Sequence, residues 1–135
     1  MSAFLLKIVS PDGVKFSGQV QQLTVRTTTG DMGILAGHID CVAALGMGRA
    51  TIVADGQTRY GACIGGMISV ANGEVTVTPT TFEWAEDIDV SRAEKSEARA
   101  QQILQNKDSG DMDIRLAEAR LRRALIRKSV AEKKD

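Results

Sequence analysis

A single histidine, His38, is all this chain carries. No histidine-based ligand set can be assembled from it, and a Ser-His-Asp or Cys-His centre has little to draw on. The two cysteines, Cys41 and Cys63, stand far apart without CxxC or Cys/His spacing. They read as reduced, buried thiols, not as metal ligands or a redox pair. No GxxxxGK[ST] loop occurs, so nucleotide hydrolysis by this chain is not expected. Aromatic residues are 4% of the sequence, too few for a base-stacking platform, and nucleic acid is excluded as a partner on that ground and on the acidity of the first ninety residues. No apolar run approaches the roughly 20 residues that span a bilayer. The opening MSAFLLKIVSPDG lacks the basic start and long apolar stretch of a signal peptide, which points to the cytosol.

What is present fits a soluble globular chain: 135 residues, 43% hydrophobic and 25% charged, enough for one core with or without a small appendage. The net charge is zero but unevenly spread. Residues 1–90 carry five basic and nine acidic side chains, residues 91–113 four and five, and residues 114–135 eight and three. A basic C-terminal end suits an acidic partner; the other reading is a solvated helix face.

From Ala3 to about Trp84 the punctuation is that of antiparallel β-structure. Phe4-Leu5-Leu6-Lys7-Ile8-Val9 is followed by Ser10-Pro11-Asp12-Gly13 and Val14-Lys15-Phe16. Ala50–Ala54 is joined to Thr58-Arg59-Tyr60 through Asp55-Gly56, and Met67–Val70 to Val75–Thr78 through Asn72-Gly73. These dipeptides suit tight hairpins, in which both central residues take positive φ. Val75 and Val77 alternate with Thr76 and Thr78, the period of a half-buried strand. Short strands at this spacing predict a small β-sandwich over residues 1–86. Most of the 13 glycines fall between Gly13 and Gly66, as tight turns and close strand packing require.

The period changes after Glu86, and residues 87–135 read as a two-helix hairpin. Ser91-Arg92-Ala93-Glu94 has the form of a capping box, starting a helix that runs to about Asn106. Lys107-Asp108-Ser109-Gly110 is a break, after which Asp111 or Asp113 caps a second helix to about Ala131. So short a connection makes the helices antiparallel neighbours. The second helix shows an apolar stripe, Ile114, Ala117, Leu121 and Leu125, and a basic one, Arg120, Arg123 and Arg127. The first offers only Ala93, Ala100, Ile103 and Leu104, so the hairpin is expected to be marginally held and able to detach without the sandwich unfolding.

This layout resembles the epsilon subunit family of bacterial F-type ATP synthases, along nearly the whole chain. Leu6–Gly13 looks like that family's first strand and turn, and Gly30-Asp31-Met32-Gly33-Ile34-Leu35-Ala36-Gly37-His38 is similar to its most recognisable loop. Gly65–Val70 and Asn72–Val77 match the strand pair before the helices, and Leu121–Arg127 looks like the last helix. One departure is visible: the family has proline before the Gly-His pair and Ala-Pro after it, where Ala36, Ile39 and Asp40 stand here. Losing those prolines predicts a less rigid loop.

The resemblance implies a non-catalytic central-stalk subunit of a proton- or sodium-translocating enzyme, peripheral on the cytoplasmic face of the bacterial membrane without inserting into lipid. The sandwich would bind the gamma subunit and rest on the c-ring, with Gly33, Ile34, Leu35, Gly37 and His38 at that interface. His38 has a second reading as a satisfied polar loop residue. The hairpin would meet the alpha and beta subunits, where Arg120, Arg123 and Arg127 grip an acidic beta segment and suppress ATP hydrolysis; the other reading is a solvated face.

Ile88-Asp89-Val90-Ser91-Arg92-Ala93 matches the I/L-D-x-x-R-A pattern by which some members of the family bind ATP. By that resemblance the site comprises Glu83, Ile88, Asp89, Arg92, Ala93 and Arg99, with Arg123 and Arg127 closing over the nucleotide. No cofactor is implied beyond ATP as a regulatory ligand. Alternatively, Asp89 and Ser91 only cap the helix, Arg92 is solvent-exposed, and the chain is a purely structural coupling subunit.

Overall fold

The structure, a computed structural model, describes residues 2–132. In chain order its strands are β1 (Phe4–Ser10), β2 (Gly13–Val20), β3 (Gln22–Thr27), β4 (Gly30–Ile34), β5 (Cys41–Ala44), β6 (Met47–Ala54), β7 (Gln57–Ile64), β8 (Met67–Ala71), β9 (Glu74–Thr78) and β10 (Thr81–Trp84). A short 3-10 turn, Ala85–Asp87, precedes α1 (Val90–Gln105) and α2 (Asp111–Ala131). The chain divides between Trp84 and Ala85 into two compact units, a β-sandwich and a helical hairpin.

The expected sandwich is present as two five-stranded sheets, ordered β2-β1-β9-β8-β5 and β10-β7-β6-β3-β4. Its hairpins form where the local sequence asks for them. Asp55 and Gly56 have φ of 51° and 76° between β6 and β7, and Asn72 and Gly73 have 52° and 80° between β8 and β9. Both links therefore use the turn whose twist matches the strands. One pairing departs from the antiparallel rule: β1 runs parallel to β9, Leu5 opposite Glu74 and Ile8 opposite Val77.

Inward-facing positions alternate along the strands, and Leu6, Ile8, Val20, Leu23, Ile52, Ile68, Val75 and Val77 are buried to within 1–2%. The chain passes from one sheet to the other through Gly65-Gly66, the only residues between β7 and β8. Both take positive φ, 69° and 98°. The corner is held by backbone bonds: Leu45 N–H donates to the Gly66 carbonyl at 2.8 Å and Gly65 N–H to the Gly46 carbonyl at 3.0 Å.

Against the C-terminal half of β7, Phe82 and Trp84 of β10 meet edge to face at 4.9 Å between centroids. Gly61 lies opposite Trp84, and a side chain there would collide with the Phe82 ring. The indole N–H donates to the Lys15 carbonyl at 3.2 Å, and the Arg59 guanidinium stacks 3.7 Å above the Trp84 ring.

The expectation of two buried thiols holds for Cys63, at 3% exposed, whereas Cys41 is half-buried. Burial pushes the Cys63 thiol up from 9.0 to about 12. The unfolded chain therefore loses this proton first, and stability falls as pH rises from about 9 towards about 12. Urea titrations at pH 8 and pH 10.5 are expected to show a lower midpoint at the higher pH, and Cys63→Ala to remove part of that drop. An unchanged gap in the variant would assign the loss to other groups.

In the helical unit the caps differ from expectation. Asp89, not Ser91, is the N-cap of α1: its backbone is extended (φ −81°, ψ 96°) and its carboxylate accepts the Arg92 N–H at 3.0 Å. A carboxylate one residue ahead of Val90 reaches the free amides of the first turn and meets the positive helix end, while Ser91 already lies inside that turn. Neither Asp111 nor Asp113 caps α2. Gly110 does so without a side-chain bond, and both aspartates lie in the first turn, where their charge still suits the helix dipole. The connection closes on itself instead: the Ser109 hydroxyl donates to the Ile103 carbonyl at 2.8 Å, and Asn106 Oδ1 accepts the Asp108 N–H at 3.0 Å.

The helices pack antiparallel along a seam of alanines. Ala93 and Ala100 on α1 and Ala117, Ala124 and Ala131 on α2 recur every seventh residue and are 0–4% exposed. The apolar stripe on α2 is therefore corrected at one end: Ala124 is in the seam and Leu125 is 47% exposed, with Ile114 and Leu121 half-buried. Small side chains bring two helix backbones together but remove little apolar area from water, so the hairpin is weakly held by packing alone.

Candidate functional site: an exposed loop and a basic hairpin

Two surfaces carry the residues that the sequence singles out. The first is the loop after β4. Gly33 is exposed on the strand, opposite Thr24. Ile34, expected at an interface, is instead 1% exposed and paired with Leu23. Strand alternation turns it into the core, so its side chain has no surface to offer. Leu35, one residue on, is 53% exposed. Gly37 takes φ 86°, which lets the His38 N–H return to the Leu35 carbonyl at 3.2 Å. The His38 ring, half-buried, places Nδ1 2.8 Å from the Ile39 carbonyl.

The missing prolines are offset by Asp40. Its carboxylate accepts the Asn72 N–H at 3.0 Å and so ties the loop to the β8–β9 turn. Sequence reasoning did not identify the neighbouring apolar side chains. Ile39 and Val42 are 77% and 68% exposed. The available signal was an aliphatic residue directly after Gly-His, where a turn ordinarily takes polar residues.

The second surface is the hairpin. On α1, Arg92 and Arg99 are exposed, seven residues apart and so on one stripe. On α2, Arg120 is exposed while Arg123 and Arg127 are half-buried. Of the remaining residues assigned to an ATP site, Asp89 has its carboxylate engaged as the helix cap. Ile88 and Ala93 are 9% and 4% exposed, so they can shape a site but present no polar atom of a side chain to it. Glu83 is on β10, in the sandwich unit, half-buried. The hairpin thus carries five arginines that the sequence singles out, Arg92 and Arg99 on α1 and Arg120, Arg123 and Arg127 on α2, and a guanidinium is chemically suited to pair with phosphate or carboxylate. Between the helices, Lys128 and Glu97 form an ion pair that the sequence reading did not identify.

Among the described residues no three of His, Cys, Asp and Glu gather in a way that could hold a metal ion, and no helix is long and apolar enough to cross a membrane.

The beta-sandwich domain of the ATP synthase Delta/Epsilon chain matches residues 3–85, and the long alpha-helix domain of the same family matches residues 86–132. The chain belongs to the ATP synthase delta/epsilon chain family. Among its relatives, the ATP synthase epsilon chain of Bacillus velezensis is 42% identical over 97% of this chain and 98% of its own length. That of Bacillus subtilis is 44% identical over 85% and 86%. The expected resemblance to epsilon chains is therefore met. Two solved structures share the fold. A chain of the mitochondrial ATP synthase of Euglena gracilis, resolved with OSCP, F1 and the c-ring, superposes with a TM-score of 0.72 at 24% identity, covering 98% of this chain and 79% of its own. One from the central stalk and c-ring of the Tetrahymena thermophila enzyme gives 0.63 at 11%, covering 94% and 95%. The division of this chain after Trp84 thus falls within one residue of the boundary between the two matched domains, at residues 85 and 86.

Proposed function

We propose that this chain is the non-catalytic epsilon subunit of an F-type ATP synthase, a rotor component whose sandwich couples the stalk to the c-ring and whose hairpin suppresses ATP hydrolysis. The observation that carries the regulatory half is the hairpin's construction. It is a separate compact unit held by an alanine seam, with arginines displayed on both helices. Such a unit can open at small free-energy cost without unfolding the sandwich.

In this reading the sandwich binds gamma and sets Leu35, Gly37 and His38, with Ile39 and Val42, against the c-ring, while Gly33 supplies exposed backbone at the start of that loop. Opened, α2 offers Arg120, Arg123 and Arg127 to carboxylates of the alpha and beta subunits, with Arg–carboxylate pairs supplying the grip. The assembly sits on the cytoplasmic face of the membrane, and this subunit meets it through protein alone. ATP acts as a regulatory ligand of the folded hairpin. Arg92, Arg99, Arg123 and Arg127 hold its phosphates, Asp89 keeps α1 in register as the cap, and Ile88, Ala93 and Glu83 complete the site. A ligand that binds only the folded state stabilises it by RT ln(1 + [L]/Kd), about 2.7 kcal/mol at 100 times Kd, enough to decide a marginal hairpin.

Deleting residues 88–135 is expected to raise hydrolysis by the assembled enzyme and to abolish any difference caused by preincubation with ATP. Unchanged hydrolysis in both conditions would leave a purely structural coupling subunit. Calorimetric titration of the isolated chain with ATP, beside Arg92→Ala, separates the ligand from the switch. Saturable heat that the variant loses supports the nucleotide site. No heat at millimolar ATP would reduce Ile88–Ala93 to a helix start.

A further inference from the structure

Lys128 on α2 donates to both carboxylate oxygens of Glu97 on α1, at 3.0 Å and 3.4 Å. The pair joins residues of different helices, and the two side chains are 31% and 15% exposed. Its place in the seam is regular. Glu97 lies four residues after Ala93 and three before Ala100, and Lys128 four after Ala124 and three before Ala131. The buried positions of the seam are alanines, whose methyl groups offer no polar atom. The Lys128–Glu97 bond adds a directional link across it, joining a carboxylate to a cation of the basic C-terminal segment. The hydrogen bond from Glu97 raises Lys128 above the ordinary lysine value, partial burial opposes this, and the charges of Glu97, Glu94 and Glu132 add to the rise. The amine is therefore charged throughout the physiological range.

We propose that Glu97 is an internal stand-in for the acidic partner surface that α2 meets: the folded hairpin keeps Lys128 occupied, and opening releases it to extend the basic face beyond Arg120, Arg123 and Arg127. The proposal rests on the reading of the hairpin as a detachable inhibitory element. One ammonium then serves two mutually exclusive carboxylates, so whatever weakens the inner pair strengthens the outer one by the same linkage.

The two halves of the pair consequently differ in a way that a simple brace does not. Glu97→Gln and Lys128→Met both break the bond and are expected to open the hairpin more often. Amide hydrogen exchange in α1 and α2 of the full chain is expected to speed up roughly three- to tenfold in each, and the charge reversal Glu97→Lys with Lys128→Glu to return it to within about twofold of the parent. In the assembled enzyme, Glu97→Gln deepens inhibition of hydrolysis because Lys128 is set free, whereas in Lys128→Met the loss of the outer pair offsets the more frequent opening and inhibition stays near the parent level. Equal deepening by both variants would overturn the stand-in role, and unchanged exchange in both would overturn the bond's part in holding the hairpin. If exchange responds as expected while neither these variants nor removal of residues 88–135 alters hydrolysis, it is the inhibitory reading of the hairpin that fails.

Discussion

Gly66→Ala is expected to destabilise the sandwich by roughly 3–5 kcal/mol, a large part of what holds a small domain folded. Gly66 has φ 98°, a backbone conformation that L side chains rarely adopt, and an added Cβ would run into the carbonyl of Thr78 and the Cα of Pro79. Backbone atoms on the far side of a two-residue crossover have nowhere to go: moving them shifts β9 and breaks the bond from Leu45 N–H to the Gly66 carbonyl. Gly73 is the internal control. It also has positive φ, 80°, but a Cβ there meets nothing within 4 Å. Gly73→Ala is expected to cost only the backbone preference, about 1 kcal/mol. Chemical denaturation of the two variants measures the difference; equal losses would mean that strain alone, not the collision, makes Gly66 necessary.

The second large effect belongs to the seam. Ala100 is fully buried, and Ala100→Glu places a carboxylate without a partner between two closely packed helices. Burying an unpaired charge costs several kcal/mol, more than an alanine seam returns. The hairpin is expected to open, with hydrogen exchange in α1 and α2 accelerated a hundredfold or more, on the order of 3 kcal/mol. The sandwich, a separate compact unit, is expected to keep its denaturation midpoint to within about 0.5 kcal/mol. A sandwich that melts with the hairpin would show that the two units fold as one. In the assembled enzyme the same variant is expected to raise the inhibited fraction at every ATP concentration, since no folded hairpin remains for nucleotide to stabilise.

Features that depend on adjacent residues were legible in the sequence. The Asp55-Gly56 and Asn72-Gly73 turns need only two residues able to take positive φ, and both formed as read. The alternation of Val75 and Val77 required only a period of two. Features set by distant partners were not. Nothing local announces that β1 lies parallel to β9, because the register is fixed 69 positions away, Leu5 against Glu74. Ser91 and Asp89 are both acceptable caps two residues apart, and where the chain leaves the 3-10 turn decides for Asp89. Leu125 belongs by hydrophobicity to the apolar stripe of α2, yet it is 47% exposed. Ala124 is buried and Leu125 is not because the seam follows the seven-residue spacing of the alanines, and hydrophobicity alone does not report which face of a helix meets its neighbour. In the candidate site, the sequence identified the arginines but not their environments. Ile34 and Leu35 look alike in the sequence, yet one is core and the other surface.

The placement of β1 between β2 and β9 also governs the order in which the protein can be made. A ribosome delivers the first strand early, and its hairpin with β2 can close at once. Its other edge, with Leu6 and Ile8 turned toward the future core, stays open until the ninth strand emerges. Until then a nascent chain displays an unpaired, apolar strand edge of the kind that recruits other chains. Fragments that stop short of Glu74 are therefore expected to be poor solitary folders, and the sandwich to be a product of late, long-range closure with the slow folding that such closure brings. The hairpin follows the strands in the chain, leaves the ribosome after that closure has become possible, and so arrives as an addition to a body already able to stand.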